Sequence, residues 1–279
     1  MHDVGSLIRH WRTQRRMSQL LLAEAAEVST RHLSCLERGR AKPSRQMVLV
    51  LASALDVPLR ERNTLLQAAG FAPAYRQTDL SAPSLAPVKR ALDFLMERAE
   101  PNGVLVMDRR WDLLMANRPF QTLASMALGR PLQVGDNMIA LTLRADGFRP
   151  LIRDWEPLAR GMLHRMYREA VATADDDLLA LIDELQAIEG VPRDWRTDPW
   201  VEAPAALTLT LDLMGTELSM FTTLTTLGTP TDVTLSELRI EHYFPADEAT
   251  ERALAALMPP EADPLVRTAG SPSSATSRR

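Results

Sequence analysis

Residues 18–44, "SQLLLAEAAEVSTRHLSCLERGRAKPS", decide the fold of the first part of this chain. Ser18 and Ser29 each precede a stretch with helical apolar spacing, and a serine hydroxyl at that position can accept a hydrogen bond from an unpaired backbone N–H of the first turn. Leu33 and Leu36 give the second stretch an inward face, and Gly39 provides its stop. The pattern predicts two short helices joined by a tight turn, which is a helix-turn-helix.

Further helices flank this pair on both sides. Before it, apolar residues recur at i, i+3, i+4 and i+7, the spacing of one helical face: Val4, Leu7, Ile8 and Trp11. After it, a fourth helix begins at Ser44 and a fifth covers residues 59–69. We therefore predict a compact all-α domain of five helices over residues 1–72.

The rest of the chain has a different pattern. Residues 73–87 are proline-rich with little periodicity, which predicts a linker. Helical stretches at about 88–99, 150–173 and 175–188 are interspersed with β-rich runs such as "GVLVM", "ALTLTLDL" and "ELRIEHYF". This order predicts an α+β domain with an antiparallel sheet and flanking helices over residues 88–247. A short helix and a disordered tail are expected over residues 248–279.

Charge is divided unevenly between these parts. Residues 1–72 hold 11 Lys/Arg against 6 Asp/Glu, a net charge of +5, whereas the remainder carries −9. A small basic segment joined to an acidic one suits a module that binds a polyanion, although domains without a nucleic-acid role also sort charge in this way. The single cysteine, Cys35, excludes an intrachain disulfide framework. With no long apolar run and no signal-peptide pattern, we expect a cytoplasmic protein without a membrane span.

The predicted helix-turn-helix leaves a polar surface on its second helix. Thr30, Arg31, Ser34 and Cys35 point away from the apolar side. In such a motif the exposed face of the second helix enters the DNA major groove while the first helix crosses the backbone. At these residues the stretch resembles the Cro/phage-repressor (XRE) helix-turn-helix family. The matching features are Gln19, Ala23, "VS" at residues 28–29 and "ERG" at residues 37–39. Glu27 departs from the glycine usual in the family's turn.

The resemblance implies roles for particular residues. Gln19 corresponds to a phosphate clamp at a helix N-terminus, and Arg12 to a residue that pairs with Glu37, with a plain solvated pair as the alternative. The implied DNA-contacting set is Gln19, Ser29, Thr30, Arg31, Ser34, Cys35, Arg38, Arg40 and Lys42. Arg31 is the candidate for a guanine, whose O6 and N7 fit its guanidinium, and phosphate contact alone is the alternative. Oxidation of Cys35 would place a polar adduct where a base edge should lie and would block DNA binding. The alternative is that Cys35 is only a small side chain that is tolerated at this position.

Beyond residue 71 the chain resembles the MmyB-like regulators, which join this motif to a PAS-like ligand-binding domain. The segments that carry the resemblance include "VLVMDRRWDLLMAN" and "DVTLSELRIEHYFPADEAT". It implies an apolar, possibly fatty-acid-like, small molecule in a pocket. Methionine and aromatic residues are the candidate lining: Met107, Trp111, Met115, Phe120, Met162, Met166, Met220, Phe221 and Tyr243. Ordinary core packing is the alternative for this set. His164, Arg165 and His242 are candidates for orienting a polar headgroup.

These patterns together predict a sequence-specific transcription regulator that binds double-stranded DNA as a homodimer and responds to a small apolar effector. No cofactor or metal site is expected, because the sequence contains no P-loop, GxSxG, HExxH or dinucleotide-binding glycine pattern and no Cys/His cluster. We therefore expect no enzymatic activity. Two alternatives stay open, a cofactor sensor or enzyme localised by the helix-turn-helix, and an antitoxin-like protein-interaction module.

Overall fold

A computed structural model of the chain describes residues 3–197 and 208–258. The first part of the chain folds into five helices, as the sequence predicts. They are α1 (Val4–Gln14), α2 (Gln19–Ala25), α3 (Thr30–Glu37), α4 (Arg45–Ala54) and α5 (Leu59–Ala68). Side chains of Asp3, Ser18, Ser29 and Ser44 cap the first four by accepting backbone N–H groups. The predicted all-α helix-turn-helix fold is confirmed.

The five helices enclose one apolar core. Its largest members retain 2% or less of their accessible surface: Ile8, Trp11, Leu22, Leu33, Leu36, Val48, Leu51, Leu55, Leu65 and Leu66. In the turn between α2 and α3, Glu27 adopts a φ of 54°. The turn therefore has the left-handed backbone conformation that a glycine adopts without strain. Glu27 adopts it at a cost on the order of 1 kcal/mol.

A buried ion pair fastens α1 to α3. The Arg12 guanidinium donates to both oxygens of Glu37, with Nε 2.6 Å from Oε1 and Nη2 3.0 Å from Oε2. Only 1% of the Glu37 side chain is exposed. Burial by itself would raise the pKa of this carboxyl, but hydrogen bonds from Arg12 and Gln19 outweigh it and hold the pKa below its ordinary value.

The second part of the described chain is a five-stranded antiparallel sheet with helices on both faces. Its strands are β1 (Gly103–Met107), β2 (Leu113–Ala116), β3 (Thr208–Leu213), β4 (Thr216–Thr225) and β5 (Arg239–Pro245). The order across the sheet is β2-β1-β5-β4-β3, and every neighbouring pair is antiparallel. The helices are α6 (Ala86–Arg98), α7 (Arg118–Leu128), α8 (Met138–Leu143), α9 (Trp155–Thr173), α10 (Asp176–Gln186), α11 (Val233–Ser236) and α12 (Glu248–Leu257). The predicted α+β fold class is confirmed.

Strand alternation assigns the two faces of the sheet. Val104, Val106 and Ile240 pack with α6 residues on one face. Leu105 and Met107, the alternate residues of β1, point to the opposite face, where they join a core built mainly with α8, α9 and α10. This second face also bounds the cavity described below, because the inward residues of β3, β4 and β5 do not meet the helices everywhere.

Several elements differ from the sequence prediction. Helices α7 and α8 lie in a region for which no helix was predicted. The helix expected from residue 150 begins at Trp155, because Arg149–Leu151 forms a single 3₁₀ turn and Ile152 makes an antiparallel bridge with Leu211. The expected disordered tail lies, from residue 259 onward, outside the described residues.

The segment that joins the two parts is anchored at both ends. Asn63 of α5 clamps it near the first part: its Oδ1 accepts the backbone N–H groups of Ala74 and Tyr75 at 2.9 and 3.0 Å. Near the second part, Thr78 Oγ1 donates to Asp232 Oδ2 at 2.6 Å. The backbone N–H of Val233 donates to the carbonyl of residue 76 at 2.8 Å. This stretch of the predicted linker is therefore held in place.

Direct contacts also join the helix-turn-helix to the second part. Arg60 of α5 donates through Nε and Nη2 to the two oxygens of Glu237, both at 2.8 Å. Arg15 donates to the carbonyl of Ala172 at the end of α9 at 3.4 Å, and Ala174 packs against the apolar core of the first part. Helix α9 thus touches the helix-turn-helix at its C-terminal end.

The Glu37→Gln variant tests the buried ion pair. We expect the free energy of unfolding at neutral pH to fall by roughly 3 kcal/mol, because Arg12 loses its charged partner in a buried setting. Since folding lowers the pKa of Glu37, its stabilisation is present above the pKa of the unfolded carboxyl and is lost as the pH falls through the folded pKa. Urea titrations between pH 7 and pH 3 should show a weaker pH dependence in the variant. Glu24→Gln, at an exposed position of α2, is the control, and equal losses in the two variants would contradict the assignment.

The Arg60→Met variant tests the junction. Without the bidentate pair to Glu237, we expect the backbone amides of residues 74–78 to exchange hydrogen about tenfold faster, because local opening of this segment costs less free energy. Exchange in the core of α1–α5 should stay unchanged. Hydrogen exchange followed by mass spectrometry measures both. Lys89→Met, which removes a more exposed ion pair with Asp93, is the control; exchange unaltered by Arg60→Met would show that the pair does not hold the segment.

Candidate DNA-binding face and ligand cavity

Helix α3 presents a polar face to solvent. Arg31 is exposed, while Thr30, Ser34 and Cys35 are half-buried. Leu33 and Leu36 on the other side of the helix are fully buried and orient it. An eight-residue helix with an apolar back and a polar, accessible front has the dimensions and the side chains to enter a major groove.

The basic residues after α3 fall into two groups. Arg40 and Lys42 are exposed, and within the described ranges their charged groups make no hydrogen bond or ion pair. Arg38 instead folds back onto α3, where its Nε donates to the carbonyl of Ser34 at 3.0 Å and its Nη2 to the Ser34 hydroxyl. As the structure stands, Arg40 and Lys42 are available to phosphates, and Arg38 together with the Ser34 hydroxyl is engaged within the helix.

Two residues of the predicted DNA-contacting set have internal roles. Gln19 Nε2 donates to Glu37 Oε2 at 2.7 Å, so its amide N–H₂ is turned towards the buried ion pair. Ser29 Oγ accepts the backbone N–H of His32 at 3.2 Å as the N-cap of α3. Both side chains stabilise the helices that carry the polar face. For Gln19 to contact a phosphate, its amide must either donate to Glu37 and the phosphate together or give up the hydrogen bond to Glu37.

A cavity of about 150 Å³ lies between the sheet and α7, α8, α9 and α12. Its wall is mostly aliphatic and aromatic. The strands contribute Leu209, Leu211, Leu213, Leu218, Met220 and Tyr243; the helices contribute residues such as Phe120, Ala127, Ile139, Leu158, Met162 and Leu254. Gly103 belongs to the wall, and a Cβ there would lie 3.0 Å from the Phe120 ring. A largely enclosed apolar space of this kind suits a small apolar ligand.

The predicted lining residues divide between wall and core. Five of them border the cavity: Trp111, Phe120, Met162, Met220 and Tyr243. Four do not: Met107, Met115, Met166 and Phe221. For these four, the expectation that each lines the pocket needs correction.

The reasons for the correction are geometrical. Met115 packs on the opposite face of the sheet, beside α6. Phe221 also points to that face, because it alternates with the wall residue Met220, and its ring stacks on Phe244 at 5.3 Å. Met107 and Met166 point to the correct side, but both are completely buried in the apolar core beside the cavity.

Among the described residues of the wall, two have opposite formal charges, Arg165 on α9 and Glu241 on β5. Tyr243 Oη donates to Glu241 Oε2 at 3.2 Å. Burial raises the pKa of the Glu241 carboxyl, and a hydrogen bond from Thr222 and the charge of Arg165 offset this only in part. The cavity therefore has one polar end in an otherwise apolar wall.

Trp111 connects this polar end to a second, deeper group of charges. The guanidinium carbons of Arg165 and Arg239 lie 4.8 and 4.7 Å from the centre of the Trp111 ring. Arg239 is buried and pairs with Glu169 of α9. It also donates to the carbonyl of Arg109 at 3.0 Å. Trp111 has a φ of 67°, an uncommon conformation for a bulky residue.

Of the three headgroup candidates named from the sequence, only Arg165 borders the cavity. His242 alternates with Glu241 on β5, so it faces the other side of the sheet, where it stacks on Phe244 at 6.0 Å. His164 packs edge-on against Trp195 at 5.3 Å. Sequence reasoning missed Glu241. The signal for it was available, because a period of two places it on the same face as Tyr243.

Residues 3–197 and 208–258 contain no group of three or more His, Cys, Asp or Glu side chains that could hold a metal ion. No helix in these ranges combines the length and the apolar character needed to span a membrane.

Comparisons with known proteins agree with this two-part architecture. The family described as "MmyB-like transcription regulator ligand binding domain" matches residues 88–257. A second family, described as "Helix-turn-helix domain", matches residues 3–65. A search of curated proteins found no match. One solved structure, titled "Structure of an RNA-binding Light-Oxygen-Voltage Receptor", is similar at 16% identity and a TM-score of 0.29, covering 91% of this chain. The chain spans 61% of the length of that structure.

Proposed function

Because the chain belongs to the MmyB-like transcription regulators, we propose that it binds a specific DNA sequence through α3 and that a small apolar effector controls this binding. Its helix-turn-helix and ligand-binding domains make it a ligand-responsive transcription regulator. The observation that supports the specific proposal best is the coexistence of an accessible polar face on α3 and an apolar cavity in the second domain.

For the DNA-binding step, Arg31 is the residue that we assign to base recognition. It is exposed on the front of α3, and among the described residues it has no ion-pair partner. Its guanidinium fits O6 and N7 of guanine in the major groove. Thr30 and Cys35 border it on the same face, while Arg40 and Lys42 are placed for phosphates. We assign Cys35 a packing role against a base, as a small apolar side chain.

Two copies of the chain are proposed to bind one operator. A single helix-turn-helix reads one half-site, and two-fold symmetry of the protein then matches a palindromic operator with half-sites about one helical turn apart. The acidic second part of each chain would be kept away from DNA phosphates in this arrangement, while the basic first part faces them.

For the control step, the proposed effector is apolar or has a short polar end. The cavity wall offers aliphatic and aromatic surface from the sheet and from four helices. A fatty-acid-like chain is compatible with this wall, as the family resemblance implies. Occupation of the cavity would bias the position of α9, which borders the cavity through Leu158, Met162 and Arg165 and reaches the helix-turn-helix at Ala172.

The Arg31→Ala variant tests the DNA-binding proposal. An operator is first selected from a random duplex library with the full chain. We then expect the variant to bind this operator about 1–3 kcal/mol more weakly and to lose discrimination at one base pair. Lys42→Ala should weaken binding to all sequences alike and reduce the slope of affinity against salt by about one. Fluorescence anisotropy over a salt series measures both quantities.

The control for this experiment is Arg90→Ala, which removes an exposed arginine from α6. It should leave both the affinity and the sequence preference unchanged. If Arg31→Ala binds every duplex as the unmodified protein does, α3 does not read the operator.

The Ala127→Phe variant tests the cavity. The added ring would fill cavity space next to α7, so we expect affinity for an uncharged apolar probe such as N-phenyl-1-naphthylamine to fall at least about tenfold. The melting temperature should stay within a few degrees, because Ala127 borders the cavity and the ring has that space to enter. Ala91→Phe on the exposed side of α6 is the control, and probe binding that survives Ala127→Phe would place the ligand elsewhere.

A further inference from the structure

The polar end of the cavity defines the chemical class of its ligand more narrowly. We propose that the effector is an uncharged acyl amide, whose carbonyl accepts from Arg165 and whose N–H donates to Glu241. This inference rests on the proposed function, since it assumes that the cavity is the effector site. It makes the headgroup neutral, and so it differs from the carboxylate that a fatty acid would bring.

The N–H groups of Arg165 can donate hydrogen bonds to a ligand in the cavity. Its guanidinium carbon lies 4.8 Å from the centre of the Trp111 ring, and this contact pairs none of its N–H groups with an oxygen or nitrogen acceptor. Within residues 3–197 and 208–258 the structure gives these N–H groups no hydrogen-bond acceptor. A carbonyl oxygen in the cavity would supply one without adding a net charge.

The carboxyl of Glu241 can accept a hydrogen bond from a ligand in the cavity. Tyr243 Oη donates to Oε2 at 3.2 Å and Thr222 also hydrogen-bonds to this carboxyl, so about two of the four acceptor positions of a carboxylate are left. The carboxyl borders the cavity, whose wall also includes Gly103, Met220, Thr222 and Tyr243. An amide N–H is a donor of the right kind for the acceptor positions that Tyr243 and Thr222 leave open.

The opposite charges of Arg165 and Glu241 in the cavity wall favour a neutral headgroup. Arg165 and Glu241 together contribute no net formal charge to the wall. An anionic headgroup that reached Arg165 would bring a second negative charge near Glu241 inside an apolar enclosure, where like charges are poorly screened. A protonated amine would meet the same difficulty beside Arg165. A group that both accepts and donates avoids both conflicts.

Three probes with the same seven-carbon tail separate these possibilities. They are octanamide, which accepts and donates; nonan-2-one, in which a methyl replaces the amide nitrogen; and octanoate, which is anionic at pH 7.5. Titration calorimetry on the full chain, supported by Trp fluorescence, gives a Kd for each. We expect octanamide to bind at least about tenfold more tightly than octanoate and more tightly than nonan-2-one.

Two variants then assign the preference to the residues. In Glu241→Gln the negative charge is gone while an acceptor remains, so octanoate should gain about tenfold and octanamide should change little. In Arg165→Met all carbonyl-containing probes should weaken together. Glu251→Gln on α12 and Arg168→Met on α9 are controls at exposed positions outside the cavity, and neither should alter the ranking.

The outcomes distinguish failure of the amide proposal from failure of the effector cavity. Octanoate binding as tightly as octanamide to the unmodified protein, or a ranking that Glu241→Gln leaves unaltered, overturns the amide inference and leaves the cavity as an effector site. Failure of all three probes to bind, in protein that unfolds cooperatively, overturns the effector cavity itself and with it the control step of the proposed function.

Discussion

The helix-turn-helix depends on a carboxylate placed inside it. Glu37 sits at the C-terminal end of α3 with almost no exposed surface, and Arg12 and Gln19 both donate to it. Because a buried charge is tolerated only when it is paired, the ion pair fixes how α1, α2 and α3 meet. The orientation of α3 follows from that meeting point, and the accessibility of Arg31 follows from the orientation. A charged interaction in the interior thereby positions a face on the exterior.

In the second part, the period of two along a strand has the same organising effect. On β5 it sends Glu241 and Tyr243 into the cavity and Ile240 and His242 to the other face. Ile240 joins the core against α6, and Glu241 and Tyr243 form the polar end of the cavity. Alternate residues of β5 therefore serve the apolar core on one face of the sheet and the cavity on the other.

Sequence patterns predicted the fold classes of both parts because caps and periodicity are local properties. Ser18, Ser29 and Ser44 cap helices as expected. The cavity wall was harder to predict, since it depends on where a helix fails to fill the space above a strand. Composition identified methionine and aromatic candidates but could not separate Met162, in the wall, from Met166, one turn away in the core. Helix α7 was missed although its local signals are present, since Asn117 caps its first turn and Gly129 ends it. Helix α8 has only six residues, which is too short for a helical period to show.

Helix α9 has a mechanical consequence. With 19 residues it is about 28 Å long, bordering the cavity in its first half and contacting the helix-turn-helix at its far end. A tilt of about 5° at one end displaces the other by roughly 2.5 Å, comparable to the one- to two-ångström helix shifts that switch other proteins. In the proposed control step, a rod of this length would act as a lever that carries a small change in ligand packing from the cavity to the helix-turn-helix.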